Sequence, residues 1–221
     1  MEEDTIIAIS TPFGFGGLGI VRLSGNKSLK IAKKIFKPKK ENKIKPKFQV
    51  LGNLYHFEQK ELFDEAYLTF FPNPSTYTRE DMIEISCHGS PVVMEEVIRL
   101  GILAGARHAN PGEFTLRAFL NGRIDLLQAE AVNDLIHAQS LKQAKISFNQ
   151  TQGKLSNKTS FLRNSIVHLL ARIEASIEFP EEGLRISPKQ TEKTMEKLIL
   201  SVQSLVTVSY THLTLPTTPY V

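Results

Sequence analysis

A single cysteine, Cys87, stands in the 221 residues. It excludes an internal disulfide and leaves too few thiolates for a cysteine-built zinc site. No apolar run approaches the ~20 residues that span a bilayer, so no membrane contact is expected. The N-terminal Met-Glu-Glu-Asp is acidic where a secretory leader is basic. Together these absences point to a reducing, cytoplasmic setting. The pattern Gly-x-x-x-x-Gly-Lys-(Ser/Thr) is missing, so no P-loop is present to cradle nucleotide phosphates. Proline is absent between Pro111 and Pro180, which leaves that stretch open to long helices.

The balance of what is present is ordinary: 41% hydrophobic, 23% charged, net charge +4 and a pI near 9.1. Mild basicity is compatible with an anionic partner without demanding one. The chain changes character around 110–130. Before it, short β-branched runs alternate with Gly and Pro. After it, apolar residues recur at helical spacing. The spacing therefore predicts an α+β domain over residues 1–120 and an all-α bundle over 121–208. Residues 209–221 lose helical period and read as a tail that does not continue the fold. Phe114, Phe119 and Leu120 are expected to seat the hinge, with Glu113, Arg117, Arg123 and Asp125 exposed along it.

In the first part, 5–10, 19–24, 49–55, 64–71 and 78–89 read as strands, and 28–36 and 90–105 as helices. Alternation puts Ile20, Arg22 and Ser24 on one face of their strand. Arg22 then either reaches water or clamps an anion. Gly14-x-Gly16-x-x-Gly19 matches the dinucleotide-binding pattern in letters. The residues that follow, Ile20-Val-Arg-Leu23, favour a strand, whereas that motif needs a helix. Dinucleotide binding is therefore rejected, and the glycines are read as sites of close backbone approach. In the later strand, Met82, Glu84 and Ser86 share a face opposite Ile83, Ile85 and Cys87. Glu84, in mid-strand, wants a partner: a salt bridge to Arg22, or the paired N–H groups of a flat heterocycle. Cys87 and His88 point to opposite faces and cannot easily form a nucleophilic dyad.

The lysines from Lys30 through Lys47 are opposed only by Glu41. They read as a solvated face, or alternatively as a polybasic patch for a phosphate polymer such as tRNA. Beyond the hinge, Leu127, Ala131 and Leu135 stack on a helix from Asp125. Leu155, Leu162, Ile166, Leu169 and Ile173 form a bundle seam. Ser187-Pro-Lys-Gln190 caps a last helix carrying Met195, Leu198, Val202 and Leu205.

Several motifs taken together resemble the tRNA-modification GTPase family MnmE, also called TrmE. They are Thr11-Pro-x-Gly-x-Gly-Gly-x-Gly-Ile-x-Arg22-x-Ser-Gly25, Phe71-Pro-x-Pro-x-Thr-Tyr-Thr78 and Glu80-Asp-x-x-Glu84-x-x-x-His-Gly89. With them go Pro111-Gly-Glu-Phe-Thr-x-Arg-Ala-Phe-Leu-Asn-Gly122, Asp125-Leu-x-Gln-Ala-Glu130 and Ile177-x-Phe-Pro-Glu-Glu182. The resemblance covers residues 4 to about 205. It implies a mixed-sheet, aminomethyltransferase-like domain that binds a tetrahydrofolate derivative (5-formyl- or methylene-tetrahydrofolate) and forms a homodimer. A helical domain follows, into which the family inserts its GTPase domain. By resemblance, Arg22, Glu84 and Arg123 fall where the family contacts folate. Arg123 stands where lysine is common, which keeps the charge. Implied partners are tRNA and a flavin-dependent protein that acts with the family on the wobble uridine, giving it a carboxymethylaminomethyl- or aminomethyl-type group at position 5. GTP, magnesium and potassium belong to the GTPase domain, which these residues do not include. An aminomethyltransferase-like enzyme and a non-catalytic RNA-binding module are the alternatives. With half of the helical domain missing, the helices are expected to expose apolar stripes that favour self-association.

Overall fold

Seven short strands hydrogen-bond into one sheet in the first part of the chain. The computed structural model describes residues 4–39, 44–179 and 187–213 and divides into two compact units, Met1–Ala129 and Glu130–Val221. In the first unit the elements are β1 (Ile6–Ile9), β2 (Gly16–Ser24), α1 (Ser28–Ile35), β3 (Phe36–Pro38), β4 (Gln49–His56), β5 (Glu61–Phe71), β6 (Met82–Gly89), α2 (Pro91–Leu103), β7 (Arg107–His108) and α3 (Glu113–Leu120). The sheet order is β3-β4-β5-β6-β2-β1-β7. Only β1 and β7 pair in parallel among these neighbours; the rest are antiparallel. This is the mixed-sheet α+β domain that the strand spacing predicts.

One face of the sheet builds the core. Val21 and Leu23 of β2, Ile83 and Ile85 of β6, Leu68 of β5 and Leu54 of β4 are each fully buried there, with Ile31 and Ile35 of α1 and Met94, Val97 and Leu100 of α2. Each such side chain contributes about 1.5–3 kcal/mol by leaving water. On α1 the buried stripe is Ile31, Ala32 and Ile35, rotated from the expected Leu29, Ala32 and Phe36. The reason is that Phe36 leaves the helix to begin β3, and its ring is buried from the strand.

The glycines of the 14–19 loop serve strand packing. Gly16 already pairs with Gly89, and Gly19 with Cys87, around an irregularity in the β2–β6 register. A Cβ on Gly89 would sit 2.6 Å from the Gly16 carbonyl oxygen. Close backbone approach thus explains the pattern, and β2 follows where a dinucleotide site requires a helix.

The second unit is helical. The helix α4 (Leu126–Ile136) spans the division between the units, followed by α5 (Leu141–Thr151), α6 (Lys154–Glu178) and α7 (Pro188–Leu213). The Ser140 hydroxyl caps α5 by accepting the Gln143 N–H at 3.2 Å. Gly153, at φ 77°, turns the chain into α6 in a conformation that favours glycine. Helix α6 matches the predicted Leu155–Ile177 element within one residue at each end. Helix α7 runs to Leu213, past the expected stop at Val208. A helix once formed extends at one hydrogen bond per added residue, so poor formers such as Thr and Tyr are carried along. Residues 214–221, and Pro180-Glu-Glu182 of the last quoted motif, lie outside the described residues.

Candidate functional site

The face of the sheet opposite the core carries the polar residues. Antiparallel register places Arg22 directly opposite Glu84 on β2 and β6, with Thr69 of β5 on the other side of Glu84. The Arg22 guanidinium donates from Nη2 to Glu84 Oε1 at 2.7 Å and from Nε to the same oxygen at 3.0 Å. Both side chains are a little over a quarter exposed, at 28% and 27%, so the pair is neither entombed nor fully screened. Above it lies α3: the Phe114 ring centroid is 5.8 Å from Arg22 Cζ.

Arg123 touches neither of them. It stands on the short turn after α3, exposed, with Cζ 4.7 Å from the Tyr77 ring centroid. Its Nη1 donates to the Tyr77 carbonyl at 3.3 Å. The Tyr77 hydroxyl meets the Thr115 hydroxyl at 3.0 Å, and Thr115 adjoins Phe114. So the two guanidiniums each lie over an aromatic ring, and the rings are joined through neighbouring residues of α3. The turn is tied back again by Asn121, whose Nδ2 donates to the Thr78 carbonyl at 2.7 Å, and by Arg79, which donates to the Asn121 carbonyl at 3.0 Å.

The hinge is seated differently from the expectation. Phe119 and Leu120 are exposed, at 38% and 47%; only Phe114 is half-buried. Glu113 and Arg117, expected to be exposed, hold the segment through a network. Arg117 Nη2 donates to Asp4 Oδ1 at 2.5 Å and to Glu113 Oε1 at 3.1 Å; Nη1 donates to Glu80 Oε2 at 3.1 Å. Arg107 joins by donating to Glu113 Oε1 and Asp4 Oδ2, each at 2.6 Å. The Ser24 hydroxyl donates to Glu80 Oε2 at 2.7 Å, which connects the network to the strand bearing Arg22. The hydrogen bond from Arg107 holds the Glu113 carboxyl down at about 2, well below the usual carboxylate range. Burial works to raise Asp4, but hydrogen bonds from Arg107 and Arg117 prevail and lower it. The i, i+4 spacing of Glu113 and Arg117 was the sequence signal for part of this. The reach back to Asp4 and Glu80 had none.

Other candidates resolve simply. Burial pushes the Cys87 thiol up to about 11, with the charge of Asp64 adding to the effect, and Cys87 sits in the core. His88 projects from the opposite face, and its Nδ1 meets Asp64 Oδ1 at 2.5 Å. Cys87 and His88 therefore form no dyad. Within the lysine run, Lys37 lies 3.1 Å from the Tyr55 ring centroid and Lys39 pairs with Glu65. Those two charges are engaged within the protein, which weakens the polyanion reading. Lys40 and Lys43 fall outside the described residues.

Comparison with known proteins follows the same division. The family model described as "GTP-binding protein TrmE N-terminus" matches residues 5–123, and the one described as "MnmE helical domain" matches 126–215. The chain belongs to the MnmE (TrmE) family. Among curated MnmE relatives, the "tRNA modification GTPase MnmE" of Acetivibrio thermocellus is 47% identical over 184 residues, covering 83% of this chain and 40% of the relative. That of Aquifex aeolicus is 43% identical over 210 residues, covering 95% and 46%. The same protein from Streptococcus sanguinis is 48% identical over 180 residues, covering 81% and 39%. The chain thus spans less than half the length of these MnmE relatives.

Proposed function

We propose that this chain is the folate-binding, dimerising N-terminal part of a tRNA-modification GTPase. With a flavin-dependent partner, the whole protein would modify the wobble uridine of certain tRNAs at position 5. Folate, when bound, supplies the one-carbon unit; GTP, magnesium and potassium would be handled by sequence beyond these residues. The observation that carries the reading is the Arg22–Glu84 pair on the open sheet face, with Arg123 joined to it through Thr115 and Tyr77.

The residues suit a reduced pterin with an anionic tail. A pterin edge offers an amino group and a ring N–H side by side, which a carboxylate accepts as it accepts a guanidinium. Both Arg22 bonds fall on Oε1 of Glu84, and among the described residues Oε2 accepts none. In this reading Oε2 takes one pterin donor, and Arg22 releases part of Oε1 for the second. The tail carboxylates find a cation in Arg123. The homodimer is supported by Phe13, Phe15 and Leu18 of the glycine loop, which stand 68%, 92% and 59% exposed.

Calorimetric titration of 5-formyltetrahydrofolate into wild type and Glu84→Ala tests the reading. Wild type is expected to bind, and the substitution to weaken binding by about 10- to 100-fold, as for loss of a charge-assisted hydrogen-bond pair. Equal affinities would remove Glu84, and with it this site.

A further inference from the structure

We infer that Tyr77 is a positioning residue: it sets Arg123 in place to receive the anionic end of the ligand and thereby selects for ligands that carry one. The inference rests on the folate reading above and adds to it a residue that makes no ligand contact of its own in that account. Arg123 has no carboxylate partner among the described residues, yet it is not loose. Its guanidinium lies over the Tyr77 ring at 4.7 Å and donates to the backbone carbonyl of the same residue. A side chain as long as arginine loses considerable rotamer freedom when it is fixed. Here one residue fixes it by face and by backbone, before any ligand arrives.

Tyr77 is itself anchored. Its hydroxyl meets Thr115 at 3.0 Å, and the next carbonyl, that of Thr78, is held by Asn121. Thr115 follows Phe114, whose ring faces Arg22. The spacing between the two guanidiniums is therefore set by two rings, a hydroxyl pair and two adjacent residues of α3, all within the first unit. A cation held this way costs little further ordering when it pairs with a carboxylate, so affinity is gained at the tail end of the ligand and nowhere else. A ring face serves better than a carboxylate for this purpose, because it orients the guanidinium without consuming its in-plane donors.

The test uses the 221-residue chain, two ligands and four variants. The ligands are 5-formyltetrahydrofolate, which has a glutamate tail, and 6-methyltetrahydropterin, which has none. Tyr77→Leu, which removes the ring, is expected to weaken the folate by roughly fivefold, the scale of an exposed ion pair together with a cation–ring contact. It should leave the tail-free pterin unchanged, which also reports that the pocket is intact. Tyr77→Phe keeps the ring and should restore most of the folate affinity. Tyr77→Leu combined with Arg123→Gln should cost no more than Arg123→Gln alone, because one acts through the other. Equal weakening of both ligands by Tyr77→Leu, or full additivity with Arg123→Gln, overturns the inference while the folate site stands. Absence of folate binding by wild type overturns the site and the inference together.

Discussion

Among the described residues, Glu113 offers the sharpest pH signature. Its carboxyl is held at about 2 by Arg107, against an ordinary 4.5. A carboxyl lowered on folding contributes stability that is fully present above about pH 4.5 and is lost as the pH falls toward 2. The contribution is on the order of 3 kcal/mol at neutral pH. Thermal unfolding followed from pH 5 to pH 2 should show a falling midpoint in wild type, and Glu113→Gln should remove that component. A slope unchanged by the substitution would contradict the assignment. Arg117 anchors the same network with a side chain only 12% exposed. Arg117→Met takes a guanidinium from Asp4, Glu80 and Glu113, the first and last of which keep Arg107, and should cost about 3 kcal/mol in urea denaturation. The Arg22–Glu84 pair was legible in the sequence, because strand alternation alone aims both side chains at one face. Arg117 was not, since its partners Asp4 and Glu80 lie 113 and 37 positions away and no local pattern encodes a contact of that range.

The strands and helices that position these residues read well wherever periodicity was strong. Buried runs such as Ile83 and Ile85 announce β6, and the proline-free stretch announces α6. Short elements did not read: β3 and β7 have three and two residues, too few to show any period. Their existence is decided by neighbours that need hydrogen-bond partners. The glycine loop illustrates the opposite case, in which a strong pattern misleads unless the element after it is considered. Since a Cβ on Gly89 would press on the Gly16 carbonyl, Gly89→Ala should push β2 from β6 and carry the Arg22–Glu84 register with it. A loss of about 1–3 kcal/mol in stability is expected, with weaker folate binding than in an equally destabilised core variant such as Leu54→Ala. Equal binding in the two would show that the glycine contact does not govern the site.

Two units with different architectures expose different surfaces. In the helical one, Phe148, Phe161, Ile166, Val167, Leu170 and Ile177 are each at least half exposed, and of the predicted seam only Leu162 is fully covered. Such stripes favour association. Sedimentation velocity should show the weight-average mass rising with concentration beyond that of a dimer, and Phe161→Ser with Ile177→Ser should suppress the rise. With no Gly-x-x-x-x-Gly-Lys-(Ser/Thr) in the 221 residues, GTP should neither shift the unfolding midpoint nor be hydrolysed. Folate binding is the function proposed for these residues, and a crystal structure with 5-formyltetrahydrofolate bound tests it most directly. The account predicts the pterin edge within hydrogen-bond distance of the Glu84 carboxylate, ~2.7–3.2 Å, Arg22 turned partly away from Oε1, and the tail toward Arg123. A ligand bound elsewhere, with the Arg22–Glu84 pair intact and untouched, would contradict it.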